Sequence, residues 1–103
     1  MSKHGTPQLG AAMALVQLLQ EHPELTAGTW TVDSVAGSLH GHLHADAFDA
    51  LDAYAAVLGG NIRPGRDYVS NGHTLRPHIL HSVWRDVRVT VGIVLPVPVA
   101  VAA

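Results

Sequence analysis

Apolar and polar residues recur along this chain with two different periods, and the switches between them mark out its elements. From Pro7 to the stop at Pro23, Leu9, Ala12, Met13, Val16 and Leu19 recur at helical spacing, while Gln8, Gln17, Gln20 and Glu21 take the other side. Thr6 is placed to cap this helix and Pro7 suits its first position, so the apolar stripe is expected to cover a core. Residues 29–32 and 38–44 then alternate with period two around a turn-rich segment at 33–37, the pattern of a β-hairpin. Asp46 is predicted to cap a second helix, with Asp49 and Asp52 near its positive end. Phe48, Leu51, Ala55 and Leu58 form its buried stripe, and Gly59-Gly60 ends it.

The second half returns to strand. It begins at Asn61, with Arg63-Pro64-Gly65-Arg66 as a turn or bulge and Asn71-Gly72 as a hairpin turn. Two long strands at 78–85 and 87–95 flank Asp86, and Val87, Val89, Val91, Ile93 and Leu95 share one face, which is read as core. The expected fold is α+β, in the order α-β-β-α-β-β-β. An antiparallel sheet of about five strands carries both helices on one face. Residues 1–103 read as a single domain, with 1–5 and 97–103 as flexible tails.

Composition narrows the classes of function. In 103 residues, 48% hydrophobic and 14% charged, there is material for one core and little charge to keep a lone copy's surface wet. A homodimer is therefore expected. The formal charge is −2 and Lys and Arg number six, which makes nucleic acid an unlikely partner because a phosphate backbone calls for a clustered basic surface. The absence of cysteine excludes disulfides, thiolate metal sites and cysteine nucleophiles, and suits a reducing, cytoplasmic setting. No leader pattern is read at the start. The apolar stretch at 91–103 is too short, and too broken by Pro96 and Pro98, to cross a membrane.

The unusual chemistry lies in the second predicted strand, where His40, His42 and His44 alternate with Leu39, Gly41 and Leu43 and should project from one face. Neutral imidazoles two residues apart suit zinc or another divalent transition metal, with Asp46 as a further ligand. The alternative is a solvated hairpin face on which Gly41 lets another backbone approach. The segment His42-Leu43-His44-Ala45-Asp46 superficially resembles the H-x-H-x-D of metallo-β-lactamase-type hydrolases, but Ala47 stands where that motif's next histidine would be, and the assignment is rejected. His78 and His81 should point to opposite faces, with His81 semi-buried and hydrogen-bonded beside Ile79 and Val83, while His73 is solvated near its turn. Arg63, Arg66, Arg76, Arg85 and Arg88 all lie in the second half, where they either pair with Asp67 and Asp86 or hold an anionic partner. No serine sits in a G-x-S-x-G elbow, and Asp46, Asp49 and Asp52 need no role beyond their helix terminus. Trp30 and Trp84 read as core or interface anchors.

The run from Ser38 to His44, then Phe48-Asp49-Ala50, Tyr54 to Gly60, Arg76-Pro77-His78 and Val83 to Val87, resembles uncharacterised small proteins of high-GC actinobacteria and their mobile elements. The resemblance implies an accessory or regulatory role and transfers no functional residue. The leading reading is a non-enzymatic, dimeric interaction module that regulates or inhibits a protein partner through Trp30, Trp84, Arg76, Arg85 and Arg88. The alternatives are a metal-binding protein using His40, His42 and His44, and a small nucleic-acid-binding regulator using the late arginines.

Overall fold

Two tight turns set the register of the second half of the chain. Asn71-Gly72 has φ of 52° and 79° and Arg85-Asp86 has φ of 50° and 67°. Positive φ at both central residues is what a primed hairpin turn requires, because its twist then matches that of the strands it joins. The computed structural model describes residues 7–44 and 47–97. Among these lie helices α1 (Pro7–Glu21) and α2 (Asp49–Leu58), and strands β1 (Gly28–Val32), β2 (Leu39–Leu43), β3 (Asn61–Pro64), β4 (Tyr68–Ser70), β5 (His73–Trp84) and β6 (Val87–Pro96). The fold is α+β. The single sheet runs β1-β2-β6-β5-β3, with β4 also beside β5.

The sheet differs from expectation in three respects. β5 begins at His73, and its first residues pair with the unforeseen short strand β4 before its later ones pair with β3. Pro64 ends β3 as a strand residue opposite His78, and the bend follows it at Gly65, whose amide donates to the Pro77 carbonyl. Finally, β2 and β6 run parallel, Leu39 opposite Val89 and Leu43 opposite Ile93. All the other pairs are antiparallel. Parallel neighbours need a long crossover, and here it comprises α2 and three strands, a partnership that no local pattern encodes.

The core forms where alternate residues of the central strands meet the helices. Leu39 and Leu43 of β2, Leu80 of β5 and Val89, Val91 and Ile93 of β6 are fully buried with Leu51 and Tyr54 of α2 and Ala11 of α1. The expected Val87 to Leu95 face is thus the core face, its two ends partly buried. Tyr54 enters this core because its hydroxyl donates to the Thr26 carbonyl at 2.6 Å, which satisfies the one polar atom that burial would strand. Burial also raises the phenol above its usual pKa. α2 starts at Asp49 after Phe48, with no side-chain cap on the described residues; the expected cap, Asp46, lies outside them, as do residues 1–5 and 98–103 of the expected tails. Val97 is held, its amide donating to the Thr74 carbonyl.

α1 docks with the side opposite to the one expected. Ala11, Ala14 and Leu18 face the core, while Leu9, Met13, Val16 and Leu19 are about half exposed. The helix is apolar almost all round, so periodicity alone does not choose its buried side. The choice is made by anchors from the β5–β6 turn. The Trp84 indole Nε1 donates to the Ala14 carbonyl at 3.0 Å, and Arg85 donates to Gln17 at 2.7 Å and to Glu21 at 2.6 Å. Alanines on the inner side also let the helix lie close to the sheet, burying little volume per turn but leaving few voids.

Candidate functional site

Both helices contact the same face of the sheet, and among the described residues no element covers the other. The strict alternation of β2 buries Leu39, Gly41 and Leu43 and turns His40 and His42 outward, with His44 exposed beyond them. Register then extends this pattern across the strands. Thr31, His40, Thr90, His81 and Asn61 are successive cross-strand neighbours, and Thr29, His42, Gly92, Ile79 and Arg63 form the next row. The uncovered face is therefore a grid of imidazoles, hydroxyls and guanidiniums around a glycine.

The three histidines share this face but have separate occupations. His40 hydrogen-bonds through Nδ1 to the Thr90 hydroxyl at 2.6 Å and through Nε2 to the Ser38 hydroxyl at 3.2 Å, so both of its ring nitrogens are engaged. His44 Nε2 shares a 2.7 Å hydrogen bond with Thr29, and its ring stands edge-on to His42 at 4.8 Å. Among the described residues no group of three or more His, Asp or Glu side chains is gathered as a metal-ligand set. Asp46, the further ligand expected from sequence, lies outside them. Gly41 has a different use from the one expected: a Cβ there would stand 2.8 Å from the Trp30 ring, so the glycine seats the indole of the neighbouring strand, not a foreign backbone.

Trp30, Trp84, Arg76 and Arg85, expected to meet a partner, are largely spent within the fold. Trp30 packs on the core against Tyr54, and its Nε1 is buried without a hydrogen-bond partner among the described residues. Trp84 is half buried, with its Nε1 donating to α1 and the Arg85 guanidinium 4.6 Å above its ring. Arg76 grips Asp67 with two hydrogen bonds, Nε at 2.6 Å and Nη2 at 3.0 Å, which holds the Asp67 carboxyl below its usual pKa and pushes Arg76 further up. Of the five, Arg88 is exposed and its guanidinium makes no ion pair or hydrogen bond among the described residues.

His81 corrects another expectation. It points to the same side as Ile79 and Val83, as its position in β5 requires, yet it is exposed and its ring makes no hydrogen bond among the described residues. Its ring sits in a hollow of about 340 Å³ lined also by Arg63, Ser82, Val83 and Arg88. Sequence alone could not pair Arg63 with Arg88, because they meet only through the β3–β5–β6 register. His78, on the other face, is half buried edge-on against Phe48 at 5.2 Å. No helix among the described residues is long and apolar enough to cross a membrane. Comparison with known proteins finds no matching family model, no similar curated protein and no similar solved structure, so the geometry of this face carries the functional reading.

Proposed function

We propose that this chain is a non-enzymatic interaction module that regulates a protein partner through the uncovered face of its sheet. The observation that carries the reading is the grid itself: one face of the sheet holds the helices, and the other presents exposed His40, His42, His81, Val83, Arg63 and Arg88. A flat surface of mixed apolar, imidazole and guanidinium groups offers both desolvation area and directional donors, the ingredients of a protein interface. A polynucleotide is a poorer match, since Asp67 neutralises Arg76 and Glu21 neutralises Arg85. Affinity capture from the native host tests the reading with two exposed substitutions, Val83→Arg and Arg88→Glu. A partner held by the wild type and lost by the folded double variant supports it; capture indifferent to both substitutions overturns it, and salt-sensitive retention on DNA would favour the nucleic-acid alternative.

A second reading, self-association, is favoured by the outward side of α1. Met13, Val16 and Leu19 stand about half exposed in a row without charge, beside a shallow hollow of about 420 Å³. Met13, Val16 and Gln20 follow the three- and four-residue spacing of a helix seam, so a second copy could lay the same stripe against it about a two-fold axis.

A further inference from the structure

Among the described arginines, Arg63 and Arg88 are notable for what they lack. Arg76 and Arg85 each hold a carboxylate, whereas among the described residues neither the Arg63 nor the Arg88 guanidinium has an ion pair or hydrogen bond, nor does that of Arg66 away from this face, and Arg63 and Arg88 are exposed. Yet the two line the same hollow, from opposite sides. Arg63 lies on β3 beside Ile79 of β5, and Arg88 lies on β6 beside Val83. His81 stands between those positions on β5, with its ring on the same face. Each arginine is thus one strand over from β5 and two residues, about 7 Å, along it from His81, a distance that an extended side chain spans. No carboxylate of the described residues lines this hollow. Asp86 lines the adjoining hollow, which shares Arg88, but forms no ion pair with it.

We propose that Arg63, His81 and Arg88 form a binding site for a single phosphate group on the uncovered face of the sheet. The proposal rests on the reading of that face as the binding surface. Two unneutralised guanidiniums at one hollow, in a chain of net charge −2, create a local positive field that a bound anion relieves. The geometry selects the anion. A carboxylate offers two oxygens in one plane, which a single bidentate arginine satisfies, as Asp67 does for Arg76. A phosphate offers three terminal oxygens around a tetrahedron and about two charges, so guanidiniums arriving from β3 and β6 each find an oxygen of their own while the His81 ring meets the third. The hollow is shallow and built on strand backbone, so it suits a terminal phosphate group more than a whole nucleotide. Such a group comes either as a phosphorylated side chain of a partner or as a free phosphate ester.

Amide NMR of the isotope-labelled chain, titrated with inorganic phosphate and then with a short phosphoserine peptide and its unphosphorylated form, tests the proposal. Saturable shifts confined to the β3, β5 and β6 amides around His81, with a dissociation constant of about 1 mM or tighter, are expected. Arg63→Gln and Arg88→Gln should each weaken binding about tenfold while leaving the remaining spectrum in place. A phosphopeptide that binds about tenfold tighter than phosphate identifies a partner's side chain as the source. Equal affinities identify a free ester. No saturable shift, or shifts that survive in the double Gln variant, overturns the site. In that event Val83→Arg capture separates the causes: a partner still lost by that variant leaves the sheet-face reading standing, and a partner retained removes both.

Discussion

Single residues in this fold are informative when their burial or partners conflict with their type. Leu51 is fully buried at the centre of the α2 stripe, so Leu51→Ala should cost about 3 kcal/mol through lost burial and a cavity, while Val91→Ala should cost less; urea unfolding at unchanged slope measures both. Trp30 buries an indole nitrogen that has no partner among the described residues, a polar atom that a phenylalanine would not carry. Gly60 permits no substitution, since its φ is 92° and a Cβ would meet the His81 carbonyl. Acid dependence is set by Asp67 and Asp33, both held below the usual carboxylate pKa. Arg76 lowers Asp67, and the amides of Ala36 and Val35 lower Asp33. A carboxyl whose folded pKa is depressed stabilises fully above its unfolded value of about 4 and loses that contribution as pH falls through the folded value. Arg76→Ala should therefore be less stable than the wild type at neutral pH, and the difference should shrink as pH falls through the folded Asp67 value, which thermal melts down into the acid range would show. For the histidine strand, zinc at about pH 7.5 should leave the melting temperature unchanged, because His40 and His44 already bind hydroxyls. A rise abolished by His42→Ala would reinstate the metal site.

Elements divide into those that local pattern defines and those that contact decides. The β1–β2 hairpin was legible from alternation, and its connection is fixed by Asp33, whose carboxylate caps the amides of Val35 and Ala36. The β6 core face was legible for the same reason, as was the Gly59 end of α2, with φ of 74° at its cap. The roll of α1 was not, because in a helix that is apolar all round the decisive groups are Trp84 and Arg85, far along the chain. The same limit hid the site: the residue types were visible, but the meeting of Arg63, His81 and Arg88 depends on strand register. The exposed side of α1 yields a prediction of its own. Light scattering at micromolar concentration should give a mass above the 10.9 kDa of one chain, and Met13→Glu with Val16→Glu should return it to that mass. Since both side chains face outward, the double variant should keep its melting temperature within a few degrees. A wild type of single-chain mass overturns self-association.

At the scale of the whole molecule, the parallel seam between β2 and β6 is the backbone junction of two parts, an early hairpin with α1 and a later meander of β3 to β6 with α2, which also share one core and the anchors of Trp84 and Arg85 on α1. Such long-range pairing raises contact order, so folding in milliseconds to seconds is expected by stopped-flow fluorescence of Trp30 and Trp84, not in microseconds. The seam also has a consequence for synthesis. β6 sits at the centre of the sheet, flanked by β2 on one side and β5 on the other, yet the ribosome delivers it after every other strand. Until Val87 to Ile93 leave the exit tunnel, the nascent chain carries Leu39, Leu43 and Leu80 on strands that lack their central partner. Those open edges are the surfaces on which unfinished β chains pair with one another, so the interval before β6 inserts between β2 and β5 is when this fold is most exposed to that pairing.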